Sequence, residues 1–158
     1  MAARYIEQLE RTKRYFSRFS GINSGVSHSM ASPNYDDDVY AFFQNCYHIK
    51  DWIKNDPCCS QWRGDVEEFI NANDNLRICA DLCNGLKHLK LTGPRSTENP
   101  QFAGNHISLS IQEGFSQPSG VGISITYRIA TASGDMDAFD LASRCVRAWE
   151  DYIVAHLA

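Results

Sequence analysis

No run of about 18 apolar residues occurs in this 158-residue chain, which excludes a transmembrane helix of ordinary length. The opening stretch MAARYIEQLERTKRYF is amphipathic and charged and lacks the apolar centre of a signal peptide, so a cytoplasmic location is expected. There is no basic excess: 15 Lys and Arg face 19 Asp and Glu, for a net charge of −4. That argues against a general nucleic-acid surface and leaves room only for a local basic site. GxSxG, P-loop, HExxH and GxGxxG motifs are all missing, so no hydrolase, nucleotide-binding or metalloprotease reading has a motif behind it. No internal repeat or low-complexity segment is present, and residues 1–158 read as one domain long enough for a sizeable core.

What is present centres on the stretch NDNLRICADLCNGLKHLKL, Asn73 to Leu91. On a wheel of 3.6 residues per turn, Leu76, Cys79, Ala80, Leu82, Cys83, Leu86 and Leu89 share one apolar face. Arg77, Asp81, Asn84 and His88, spaced +4, +3, +4, form a polar line facing water or a cleft. Gly85 beside that line costs about 1 kcal/mol relative to Ala. It suggests either the close approach of a backbone or ligand, or a plain helix crossing.

The segment before it, DDDVYAFFQNCYHIKDWIKN, opens with three acidic residues suited to a helix N-terminus and carries a second polar line, Gln44, His48, Asp51 and Asn55. If the two helices pack side by side, His48, Asp51, Asn84 and His88 could converge. Asp56-Pro57 restarts the chain as N-cap and first helical residue. A shorter helix then runs to about Ala72 with Trp62, Val66, Phe69 and Ile70 inward, and Gly64 as a candidate break.

Residues 2–19 form a first helix, ended by Gly21, with Arg4, Arg11, Lys13, Arg14 and Arg18 making a basic patch beside Tyr15 and Phe16. That patch could touch RNA, but a solvated face is the plainer reading. Residues 20–35 are rich in Ser, Gly and Asn and read as a mobile loop containing His28.

After a Gly-Pro- and Asn-Pro-containing loop, Ile107, Leu109 and Ile111 alternate with polar residues, as do Val121, Ile123, Ile125, Tyr127 and Ile129. With GFSQPSG between them they predict an antiparallel hairpin, whose apolar face must pack on helices or on another chain. Asp135 or Asp137 caps a final helix buried through Ala138, Leu141, Ala142, Cys145, Val146, Trp149, Tyr152 and Ile153. The expected fold class is α+β: a bundle of four or five helices with one antiparallel β-hairpin before the C-terminal helix.

The six cysteines, with no secretion signal, read as reduced thiols. Cys46, Cys79, Cys83 and Cys145 fall on apolar helix faces as small hydrophobes. A zinc set would draw on Cys79, Cys83 and His88 with Cys46 or His48, but the i,i+4 cysteines point inward and His88 points away, so no metal and no cofactor is expected. Cys58-Cys59 sits near a helix start, where a thiol of lowered pKa has no further support.

The chemistry that remains lies in Asn84-x-x-x-His88, flanked by Lys87 and Lys90. Asn84 could orient the His88 ring, His88 could act as general acid or base, and the lysines could hold phosphate oxygens. This is the minimum for metal-independent RNA cleavage through the 2′-hydroxyl. The competing reading is a histidine and asparagine that satisfy polar groups between helices.

The segment Cys83-Asn84-Gly85-Leu86-Lys87-His88 resembles the signature of the HEPN superfamily, small helical proteins of which many are RNases of toxin–antitoxin and antiphage systems. Asn84 and His88 match the polar residue and the histidine of that signature, while Cys83 stands where the family has arginine. Arg77 lies eleven residues before His88, roughly 16 Å along the axis, too far to replace it unaided. The resemblance implies action on RNA, with His88 and Asn84 catalytic and Lys87, His48, Asp51, Arg77 and Asp81 lining the site. It also implies homodimers with paired motifs, and the missing arginine makes a non-cleaving member an open alternative. The hairpin lies outside the core HEPN bundle. FFQNCYHIKDWIKND with ICADLCNGLKHLKL also resembles bacterial proteins of unassigned function. A binding module for a small ligand or protein partner, using the same cleft or the hairpin edge, is the second reading. Neither reading involves a membrane.

Overall fold

The computed structural model describes residues 3–27, 34–111 and 121–157. It is mainly helical and α+β, in the order α1 (Tyr5–Ser24), β1 (Val26–Ser27), α2 (Asn34–Asn55), a 3-10 segment (Pro57–Trp62), α3 (Asp65–Ala72), α4 (Asp74–His88), β2 (Gln101–Ile111), β3 (Val121–Thr131), β4 (Gly134–Asp137) and α5 (Ala138–His156). No helix among these residues is long and apolar enough to cross a membrane.

Local chemistry accounts for most boundaries. Asn73 caps α4 by accepting from the Leu76 amide at 3.0 Å, and Asp137 caps α5 by accepting from the Asp140 amide at 2.8 Å. Buried Asp56 accepts from the Cys58 amide at 3.0 Å and from the amides of Arg4 and Tyr5 at 2.5 and 3.0 Å, so one carboxylate stabilises the start of the 3-10 segment and that of α1.

Two boundaries differ from the sequence expectation. α1 runs past Gly21 to Ser24, because Ile22 is buried and holds the last turn against the core. The stop is Gly25, at φ +121, whose amide donates to Gly21 O at 2.9 Å. The expected loop at 20–35 is therefore helical at its start, paired as β1 at 26–27 and helical again from Asn34. His28 lies outside the described residues, as does the whole GFSQPSG connection. α4 stops at His88 rather than Leu91: Leu89 takes φ +60 and is 98% exposed, since no element extends beyond His88 to cover it.

The hairpin forms antiparallel, with Ile107 opposite Ile125 and a register shift between Phe102 and Asn105. It is not alone. β1 pairs with β3 at Val26–Ile123, and β4 folds back on β3 with Thr131 opposite Gly134, giving four strands with β3 at the centre. The inner face of β3 carries Ile125, Tyr127 and Ile129, all buried against the helices. Phe19 of α1 is the hub of this core: its ring lies 5.3 Å from Phe139, 6.1 Å from Phe42 and Tyr127, and 6.3 Å from Phe43. Tyr127 also donates its hydroxyl to Asp36 at 2.6 Å, tying the sheet to the first turn of α2.

Candidate functional site

α2 and α4 pack side by side, so the two polar lines share one region of the molecule. His48 and Asp51 on α2 are half-buried, Asn84 on α4 is half-buried, and Lys87 and His88 are exposed. Burial lowers the His48 pKa, the charges of Lys50 and Lys87 lower it further, and Asp51 opposes them. His48, Asp51 and Lys87 are therefore electrostatically coupled across the helix pair. Among the described residues neither Asn84 nor His88 makes a side-chain hydrogen bond or ion pair, so Asn84 does not orient the His88 ring here. Asp51 accepts from Lys50 Nζ at 2.6 Å.

Arg77 pairs with Asp74 one turn earlier on its own helix, facing a groove that also contains Glu98 and Ser133. Cys83, at the position of the missing arginine, is buried, and burial pushes its thiol up to about 11. It offers no cation and no thiolate nucleophile near neutral pH.

Asp81 corrects the expectation of a continuous polar line open to water or a cleft. It is fully buried, and its carboxylate accepts from the amides of Arg95 and Ser96 at 2.7 and 2.9 Å and from the Ser96 hydroxyl at 2.6 Å. Loop 89–100 thus covers this part of α4. The same loop is fastened a second time by Arg95, which donates to Glu67 at 3.0 Å and to Asn71 at 3.0 Å. Glu67 also receives Lys54 at 2.7 Å, with Lys50 at 3.7 Å. Lys50 Nζ lies 4.8 Å and Arg95 Cζ 5.6 Å from the centroid of the Tyr47 ring. Burial works against the charge on Glu67, but hydrogen bonds from Lys54 and Arg95 outweigh it and lower its pKa.

This network of Tyr47, Lys50, Glu67 and Arg95 was missed in the sequence. One signal was available: Lys50 lies four residues after Cys46 and three before Ile53, on the buried face of α2, where a lone charge does not belong.

Beyond Asp81 the end of α4 opens into a groove of about 290 Å³ lined by Leu82, Leu86, Leu89, Leu91, Pro100 and Phe102, with polar Asn99 and Gln101 among them. Gly85 lies along it. A Cβ there would meet nothing within 4 Å, so no backbone of the described chain makes the close approach that a glycine invites. Lys87 and His88 at the end of α4, and Lys90 just beyond it, are all exposed. The arrangement offers apolar surface next to positive charge. The basic patch of α1, by contrast, is largely neutralised within the chain: Arg11 pairs with Glu7, Lys13 with Glu150 and Arg18 with Asp38.

The thiols regroup relative to the zinc set considered from the sequence. Cys83 and His88 do not join; instead the sulfurs of Cys46, Cys79 and Cys145, from α2, α4 and α5, all lie within 4.8 Å of one another in the core. Hydrogen bonding with Cys145, Cys79 and the Trp149 indole lowers the Cys46 thiol against its burial, while the thiols of Cys79 and Cys145 are pushed up. Comparison with family models, with curated proteins and with solved structures returned no match.

Proposed function

We propose that this protein is a non-cleaving binding module whose contact surface is the exposed end of α4. The observation that carries the reading is the groove beside Gly85, with Leu89 98% exposed and Lys87, His88 and Lys90 next to it. A solvent-facing leucine beside a groove of mixed leucine and polar lining is suited to a partner that brings an apolar anchor, and the neighbouring positive charge favours an acidic partner segment. The residues of the two polar lines support a structural rather than a catalytic reading: Arg77 is engaged by Asp74, Asp51 by Lys50, and Asp81 by loop 89–100. General acid–base catalysis needs a donor and an acceptor in reach of one reacting centre, and Asn84 and His88 share no bond.

A HEPN-like action on RNA is the second reading. What favours it is His88, exposed and flanked by Lys87 and Lys90 one turn after Asn84, where phosphate oxygens could be held. One experiment separates the two. Wild type and His88→Ala, prepared identically, are incubated with total RNA and transfer RNA and followed on a gel. The binding-module reading expects no cleavage by either protein. Cleavage by the wild type that vanishes in the variant overturns it and makes this an RNase despite Cys83. A photo-crosslinking residue at position 89, with the also exposed position 154 as a control, then reads the surface directly. A discrete adduct in cells at 89 but not at 154 supports the groove, and equal labelling at both removes it.

A further inference from the structure

We propose that Cys46, Cys79 and Cys145 form a buried three-thiol site for a trivalent, thiophilic metalloid of the arsenite type. The ligands come from three helices and from positions far apart in the chain, so only the packed bundle assembles them. All three residues are 0% exposed. A central atom bonded to sulfur at about 2.3 Å, the length of a zinc–thiolate bond, spaces three sulfurs at most about 4.0 Å apart. Sulfurs within 4.8 Å of one another would close by about 0.8 Å around a planar centre and by roughly 1.3 Å around a pyramidal one.

The choice of ion follows from composition and charge. No carboxylate or imidazole among the described residues joins the cluster, so the set is sulfur alone and three-coordinate. Structural zinc takes four ligands and would lack one. Soft thiolates select soft ions. Three thiolates around a monovalent ion carry −2, around a divalent ion −1, and around a trivalent centre no charge. In a site without solvent exposure the neutral complex avoids the cost of burying an unpaired charge.

The reaction balances without any redox step. Three thiols and one As(OH)₃ give As(S-Cys)₃ and three waters; each As–O bond is replaced by an As–S bond, and each thiol proton leaves with a hydroxide. Since the site has no opening, binding is expected to be fast during folding and slow in the folded protein.

The test uses the full chain, reduced, both folded and refolded from denaturant in the presence of sodium arsenite. Intact-mass analysis is expected to show one adduct equal to one arsenic less three hydrogens, with an arsenite-dependent rise in Tm. Cys46→Ala, Cys79→Ala and Cys145→Ala should each lose that adduct and the Tm rise. Cys83→Ala, which also removes a core thiol, and Cys58→Ser, at an exposed one, should keep both, so a merely destabilised core is told apart from a lost site. The proposal is overturned if the refolded wild type carries no three-thiol adduct. It is equally overturned if the adduct survives in Cys145→Ala, or retains a hydroxide and disappears in Cys58→Ser, which would place it on the Cys58-Cys59 pair.

Discussion

Asp81→Ala should be among the most damaging single polar substitutions in this protein. The carboxylate is fully buried and accepts three hydrogen bonds, two from the amides of Arg95 and Ser96 and one from the Ser96 hydroxyl. Hydrogen bonds to a charged group contribute roughly 1.5–3 kcal/mol each, and a buried donor left unpaired costs about 1–3 kcal/mol. The donors are only partly buried, so water can reach some of them once the loop lifts, which places the loss at about 3–5 kcal/mol rather than at the sum. The better helix propensity of alanine returns less than about 1 kcal/mol. Against a typical domain stability of about 5–15 kcal/mol this is a large fraction. At about 2–4 °C per kcal/mol for a chain of this size, Tm should fall by roughly 6–20 °C. The assay is equilibrium urea unfolding of the wild type, Asp81→Ala and Asn84→Ala, with amide exchange followed at Arg95 and Ser96. Asn84, one turn away and without a side-chain bond among the described residues, should cost less than about 1 kcal/mol. If Asp81→Ala costs no more than Asn84→Ala, or leaves exchange at Arg95 and Ser96 unchanged, the anchoring argument is wrong.

Other predictions follow from the same geometry. His48 should titrate below the ordinary imidazole value, chiefly through burial; Lys87→Met should raise its pKa and Asp51→Asn should lower it further, both readable by NMR. With its folded pKa depressed, the unfolded chain binds the proton more readily, so the contribution of His48 to stability is present above about pH 6.5 and is lost as pH falls through the folded value. No response to Lys87→Met would remove the coupling across α2 and α4. Asp56 and Glu67 are lowered against opposing burial, the first by the amides of Cys58, Tyr5 and Arg4 and the second by Lys54 and Arg95. Their stabilisation is present above the ordinary carboxylate range, about pH 4, and is lost as pH falls through their folded values. Asp56→Asn with Glu67→Gln should therefore weaken the protein at pH 7 and flatten the acid limb of its stability curve; an unchanged acid limb would contradict this. Phe19→Ala, at a fully buried ring among four others, should cost about 3–5 kcal/mol in denaturant unfolding, and a loss under about 1 kcal/mol would show that the ring cluster is not the core's centre.

How much was legible in the chain depended on the range of the interaction involved. The cap at Asp56, and the choice of Asp135 or Asp137 before the last helix, were readable because each cap is completed within one turn of its own residue. The hairpin was readable because a period of two places Ile107 and Ile125 on one face whatever packs there. Periodicity placed Asp81 on the same line as Arg77 and Asn84, yet a helix wheel states a direction and not what lies in it. Loop 89–100 turned that position into a buried anchor. Arg95 and Glu67 are 28 residues apart and Tyr127 and Asp36 are 91 apart, separations at which nothing local records the pairing.

The sequence by itself determined the main helices, the β2–β3 hairpin, the α+β class and the burial of Cys46, Cys79, Cys83 and Cys145, because propensity and hydrophobic period act within a few residues. Only the tertiary structure decided that α2 lies against α4, that Leu89 is left exposed beside a groove, and that three of the five buried thiols meet while Cys59 and Cys83 stay outside the cluster. Those outcomes depend on how several helices pack around one core, and side-chain packing is a property of the whole assembly rather than of any one segment.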